Sequence, residues 1–155
     1  MSDGFDIRFD DARAFAARMA QAPQIVGDEL TRSVDRLTLQ GERYTKVETP
    51  VRTGHLRRSI AMSPATFAGG AATGSWGTAT PYARWVEEGR GPVVASPGKV
   101  LRFIPKGSST PIYRKRVGPA RGHFMFKKAL AKVRPLVGRE MRDGIRRIVV
   151  RLGGA

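Results

Sequence analysis

The chain has 155 residues, with 28 Lys and Arg against 13 Asp and Glu, a formal net charge of +15, and no cysteine. The length fits one domain, read as 1–155, large enough to bury a core without covalent staples. The missing cysteines exclude a disulfide framework, thiolate zinc sites and cysteine nucleophiles. No apolar run reaches the roughly 18–20 residues of a membrane span, and Met1-Ser2-Asp3-Gly4 does not read as the start of a signal peptide. The charge is uneven: residues 1–48 hold 7 basic and 9 acidic side chains, whereas residues 49–155 hold 21 and 4. A field of one sign over two-thirds of the chain implies an acidic partner, either nucleic acid or an acidic protein surface.

In chain order, Phe5-Asp6-Ile7-Arg8-Phe9 alternates apolar and polar residues and predicts a short strand, followed by Asp10 and Asp11 as helix N-cap candidates. Phe15, Met19, Val26, Leu30, Leu37 and Tyr44 keep helical phase. Pro23 predicts a kink or break in that helix, and Pro50 its end. Asp28, Glu29, Asp35 and Glu42, interleaved with Arg32, Arg36 and Arg43, read as its solvated face. Leu56–Met62 and Ser75–Thr80 predict strands, with the small-residue stretch 68–74 as the loop between them. Pro81–Glu88 predicts a short helix with Tyr82, Trp85 and Val86 on one face, stopped by Gly89 and Gly91. Val100–Ile104 and Ile112–Val117 are further strand candidates. Phe126, Leu130, Val133, Val137, Met141, Ile145, Ile148 and Leu152 recur every ~3.7 residues and predict a helix over about 124–152, kinked at Pro135. The expected fold is α+β. A long N-terminal helix and a long C-terminal helix pack on a small antiparallel sheet with one short middle helix. The segments fall at about 5–49, 54–117 and 124–152.

Catalytic motifs are missing. His55 and His123 stand apart and in no metal-ligand spacing, so each reads as structural or surface. Glu87 and Glu88 are neighbours that point about 100° apart on a helix, which suits counter-charges to Arg84 and Arg90 better than an acid/base pair. No nucleophile elbow, phosphate loop or dinucleotide fingerprint occurs. No catalytic, cofactor-binding or metal residue is therefore assigned, and the chain reads as a non-enzyme with no cofactor. The candidate contacts to DNA or an acidic partner are Arg114, Lys115, Arg116, Lys127, Lys128, Lys132, Arg139, Arg142, Arg146 and Arg147. Trp76, Tyr82 and Trp85 could stack bases, but their spacing reads first as core.

Three segments carry a resemblance. They are Thr49-Pro50-Val51-Arg52-Thr53-Gly54-His55-Leu56-Arg57-Arg58-Ser59-Ile60, Pro81-Tyr82-Ala83-Arg84-Trp85-Val86-Glu87-Glu88-Gly89, and the run from Val117 through Pro119, Ala120 and Phe124 to Leu130. In this order the chain resembles the tail-component, or head–tail joining, family of tailed bacteriophages. The family-motif positions are Pro50, Thr53, Gly54, Leu56, Arg57, Ser59, Tyr82, Ala83, Glu87, Gly89, Pro119, Ala120 and Phe124, expected to serve fold and assembly. Arg58 is expected to be buried against Glu87 or to lie at a subunit contact. The resemblance implies a structural virion protein assembled in the bacterial host cytoplasm. It implies a ring, with six copies expected, at the neck of the particle. Its implied partners are other copies of itself, a head-side connector or stopper, and a tail terminator or tube protein, with genomic DNA in the lumen and no membrane. The alternative reading is a non-specific nucleic-acid-binding protein that uses its basic C-terminal half.

Overall fold

The structure, a computed structural model, describes residues 10–105 and 107–153. The predicted strand Phe5–Phe9 lies outside them, as does the side chain of Phe15. Helix α1 (Asp10–Ala20) ends at a turn on Gln21, and α2 (Ala22–Glu48) follows. Pro23 thus sits in the first turn of α2, where its missing N–H is no loss. The break it predicts falls just before it. A short helix α3 (His55–Ser59) precedes the hairpin β1 (Ala61–Ala68) and β2 (Ala71–Gly77). Helix α4 (Ala83–Glu88) leads into an antiparallel ribbon built from β3 (Gly89–Arg90), β4 (Val93–Val94), β5 (Leu101–Phe103), β6 (Ile112–Arg114), β7 (Arg116–Val117) and β8 (Ala120–Arg121). Helix α5 (Met125–Gly153) runs continuously through Pro135.

The class is α+β, with long helices near both ends of the described chain and small antiparallel sheets between them. Two details differ from the sequence expectation. Leu56–Ser59 is helical, so the strand begins only at Ala61; after the irregular segment that follows α2, Gly54, at φ 76°, turns the chain into α3. The stretch 68–74 is not a loop: the turn is Gly69-Gly70 alone, and Ala71–Gly74 belong to strand β2. Small residues there serve packing, because β2 lies against α2.

Helix α2 is covered on two sides, by α5 and by the hairpin. Its most buried positions are Ile25, Gly27, Glu29, Ser33, Thr38, Gly41 and Thr45. The apolar stripe that keeps helical phase in the sequence, at Val26, Leu30, Leu37 and Tyr44, is only half-buried. The reason is steric. Two neighbours can approach one helix closely only where its side chains are short. A methyl group on Gly41 would stand 2.6 Å from the Trp76 ring, and one on Gly144 of α5 would stand 2.8 Å from Ser33 Oγ. The buried hydroxyls are satisfied within the helix: Thr38, Thr45 and Thr49 donate to the carbonyls of Val34, Gly41 and Thr45. Thr45 Oγ1 also accepts the Trp76 indole N–H at 3.0 Å.

The acidic residues of α2 are likewise structural rather than a solvated face. Asp35 accepts the Ala65 N–H at 2.7 Å and Glu42 accepts the Met62 N–H at 2.9 Å, so two carboxylates of α2 hold β1 along its length. Pro64 and Ala65 face Gly74 in a bulge of that strand, where proline costs no ladder bond. On the α5 side, Glu29 is 3% exposed and receives Arg147 at 3.0 Å, Arg151 at 3.0 Å and Arg32 at 2.8 Å. Arg147 also reaches Glu140, which takes Arg36 from α2. Glu48 binds Lys132 and Lys128 at the other end of the helix pair. Burial pushes the Glu29 carboxyl up, but Arg147, Arg151 and Arg32 together hold it below its ordinary value; Glu140 behaves the same way through Arg147 and Arg36.

This packing can be tested at its tightest point. Replacing Gly41 by Ala gains up to about 1 kcal/mol of helix propensity, yet the indole cannot retreat without breaking its bond to Thr45. A net loss of about 1–2 kcal/mol is expected, read as a melting temperature lower by roughly 2–4 °C per kcal/mol. Gly118→Ala, where a methyl group meets open space, should change stability by less than about 0.5 kcal/mol. The ion pairs make a second test, in pH. Because the folded-state pKa values of Glu29 and Glu140 are depressed, their stabilisation is complete above the ordinary glutamate value of about 4.3 and is lost as pH falls through the depressed values. Melting temperature should hold between about pH 7 and 5 and drop below about pH 4. Glu29→Gln should melt lower than wild type at neutral pH, and the gap should close in acid.

Candidate functional site

The three motif segments, distant in sequence, meet at one place. Leu56 from α3, Ala83 from α4 and Met125 from α5 form a buried cluster, with Val86 and Phe126 packed on it. Thr49 Oγ1 lies 3.3 Å from Met125 Sδ and ties the end of α2 to the same point. Ser59 Oγ joins the hydroxyls of Thr78 and Thr80, each at 2.7 Å, and so fixes α3 to the strand exit after β2. Pro50 is exposed at the end of α2, and Thr53 Oγ1 accepts the His55 N–H.

Glu87 is the centre of this junction. Its carboxylate accepts the N–H groups of Phe126 at 2.9 Å and Lys127 at 3.1 Å, the second and third residues of α5. The sequence of α5 offers no acidic residue in its first turn, so a carboxylate from α4 supplies the cap and faces the positive end of the helix dipole. The Glu87 carbonyl also accepts the Phe124 N–H, and the Val86 carbonyl accepts the His123 N–H. Phe124 is thereby held at φ 53°, the one non-glycine residue at positive φ among those described. Gly89, at φ 88°, closes α4 against the backbone of Ala120 and Gly122, and Gly122 lies against the backbone of Glu87 and Glu88, so neither glycine has room for a side chain.

The expected Arg58–Glu87 pairing does not form. Glu87 is engaged by backbone N–H groups, and the exposed Arg58 guanidinium lies 3.4 Å from the Thr53 carbonyl. Glu88 takes Arg84 at 2.9 Å, as a local counter-charge. Of the three aromatics expected in the core, Trp76 is half-buried on α2, whereas Trp85 is 60% exposed and Tyr82 lies at the surface. The ten basic candidates do not form one surface. Lys128, Lys132 and Arg147 are engaged with Glu48, Glu29 and Glu140, and Lys127 stands over the Phe124 ring. Arg139, Arg142 and Arg146 lie on α5, and Arg114, Lys115 and Arg116 are exposed on the ribbon. Arg57 and Ala120 are also exposed, with Ala120 paired to Arg90 across the ribbon.

Beside the junction opens a cleft of about 930 Å³, lined by Val51, His55, Leu56, Tyr82, Val86, Ile104 and His123 among others. The two histidines, 68 positions apart, therefore share one cleft. A second feature is not visible from sequence. Leu130, Val137, Ile145 and Val149 on α5 are between 41 and 61% exposed. They belong to the periodic stripe or border it, but α5 turns Met125, Ala129, Val133 and Gly144 toward its neighbours instead. Periodicity finds both rows without telling them apart.

The site thus sets a backbone-capped junction beside an apolar cleft, with an exposed apolar row on α5. Residues 13–89 match the family described as "Bacteriophage HK97-gp10, putative tail-component". Over this region, just under half of the chain, the protein is similar to that family of phage tail components. The match takes in α2, α3, the hairpin and α4 with Glu87 and Gly89, and stops where the ribbon begins. No curated protein and no solved structure matches the chain.

The capping role of Glu87 is directly testable. Glu87→Ala should cost about 1–2 kcal/mol, because two N–H groups lose their acceptor and Phe124 loses its support. Glu87→Gln, which keeps an acceptor oxygen without the charge, should recover part of that loss in thermal unfolding followed by circular dichroism.

Proposed function

We propose that the protein is a structural, non-catalytic virion component that forms a closed ring at the head–tail neck, with six copies. It bridges a head-side connector or stopper to a tail terminator or tube protein. The observation that carries the ring is the pair of unlike apolar surfaces on one chain. The convex row Leu130, Val137, Ile145 and Val149 differs in shape from the cleft beside Tyr82. Two different surfaces on one chain allow heterologous contacts, which form a ring where the rotation between copies closes. The match of residues 13–89 to a tail-component family supports the setting in a phage particle.

Charge sets the conditions for assembly. Each copy carries +15, and every described carboxylate side chain except Asp143 is held by a hydrogen bond or ion pair inside the chain. Neighbouring copies therefore repel, and apolar contact must overcome it. Screening lengths fall from about 10 Å at 0.1 M salt to about 3 Å at 1 M, so added salt should promote ring formation rather than dissolve it. Sedimentation velocity should show small species at low salt and one closed oligomer at high salt. Ile145→Lys with Val149→Lys should abolish the oligomer while leaving the monomer folded. A monomer at every salt concentration would rule out self-assembly into a ring. Immunogold labelling absent from the head–tail junction of intact particles would rule out the neck.

A further inference from the structure

The ribbon between Gly89 and Gly122 has a composition unlike the rest of the chain: eight Lys and Arg and not one Asp or Glu. It is a two-stranded element. Gly89 pairs with Arg121, Val93 with Val117 and Leu101 with Arg114, each strand pair bonded only across the ribbon. None of the described residues from 91 to 120 is buried. An isolated two-stranded ribbon is marginal in water by itself. None of its described cations forms an ion pair, since the ion pairs among the described residues lie on α2, α4 and α5.

We infer that this ribbon is a DNA-contacting arm that lies against the phosphate backbone of a duplex. Three observations lead there. The described part of a second copy offers the arm little, because of its carboxylate side chains only Asp143 is not already engaged inside the chain. The cations lie on both faces. Leu101, Phe103, Ile112 and Arg114 share one face by register, and Arg102 and Tyr113 share the other. A flat acidic protein surface would meet only one face, whereas a groove flanked by two phosphate rows meets both. Finally, two strands about 4.8 Å apart fit the roughly 12 Å major groove, which admits a two-stranded ribbon. Charge of a single sign without base-reading side-chain geometry means contact that is indifferent to sequence.

The test is fluorescence anisotropy of the full chain with a mixed-sequence duplex of about 30 base pairs, roughly three turns. Affinity should fall about 10³-fold between about 50 and 200 mM salt. The triple variant Arg102→Ala, Arg114→Ala, Arg116→Ala should reduce the slope of log K against log salt by about 3, close to 0.9 for each phosphate that is no longer neutralised. Arg139→Ala, Arg142→Ala, Arg146→Ala on α5 should leave the slope near the wild-type value. None of the six side chains is buried, so both variants should melt with the wild type. Equal slopes for the arm variant and wild type would overturn the inference, as would an equal fall in the α5 variant. Binding to poly-L-glutamate with none to the duplex at low salt would overturn it in favour of an acidic protein partner. The arm variant should still form the salt-promoted oligomer, so loss of DNA binding and loss of the ring are read separately.

Discussion

The structure depends on how closely α2 can be approached from two directions at once. Gly41 admits the Trp76 ring on the hairpin side, and Ser33 admits the backbone of α5 at Gly144. With larger residues at these positions neither neighbour could come close enough for its polar groups to meet those of α2. Close approach is also why the interior has few large aliphatic side chains. Its fully buried members include Ser33 and Thr45 beside Ile60 and Met125. Such an interior buries little apolar area per residue, so satisfied polar contacts carry more of its specificity. No described buried side-chain nitrogen or oxygen lacks a hydrogen-bond partner.

The carboxylates supply most of those contacts. Glu29, Glu48 and Glu140 join α2 to α5, Asp35 and Glu42 join α2 to β1, and Glu87 joins α4 to α5. In a chain with 13 acidic residues against 28 basic ones, six of the described carboxylates thus stand at seams between elements. The positive charge left over is displayed outward. Internal cohesion and external field are two results of one distribution.

This distribution explains what could be read from sequence and what could not. The long helices, the break near Pro23, the stop at Gly89 and the α+β class were legible because they rest on local rules: periodicity, proline geometry and glycine at positive φ. The solvated-face reading of Glu29 and Asp35 failed because Arg147 and Ala65, their partners, lie 118 and 30 residues away. The cap on α5 was hidden for the same reason, since Glu87 stands 39 residues before Phe126. The three motif segments were visible as a set, but their meeting at Leu56, Ala83 and Met125 is a property of tertiary packing. On α5 the sequence shows a broad apolar surface, and the close approach of Gly144 to Ser33 marks which part of it turns inward.

The match to tail components ends at Gly89, and the ribbon begins there. The same glycine terminates α4 and opens β3, and its packing against Ala120 and Gly122 ties the ribbon's two ends to the Glu87 cap. The ribbon is therefore tied to the helices at its base, and further along it Ile104 borders the cleft beside Tyr82, with no residue described between 91 and 120 buried. An element so placed can vary in length and charge without disturbing the helices, because none of its described side chains between 91 and 120 helps to fill the core.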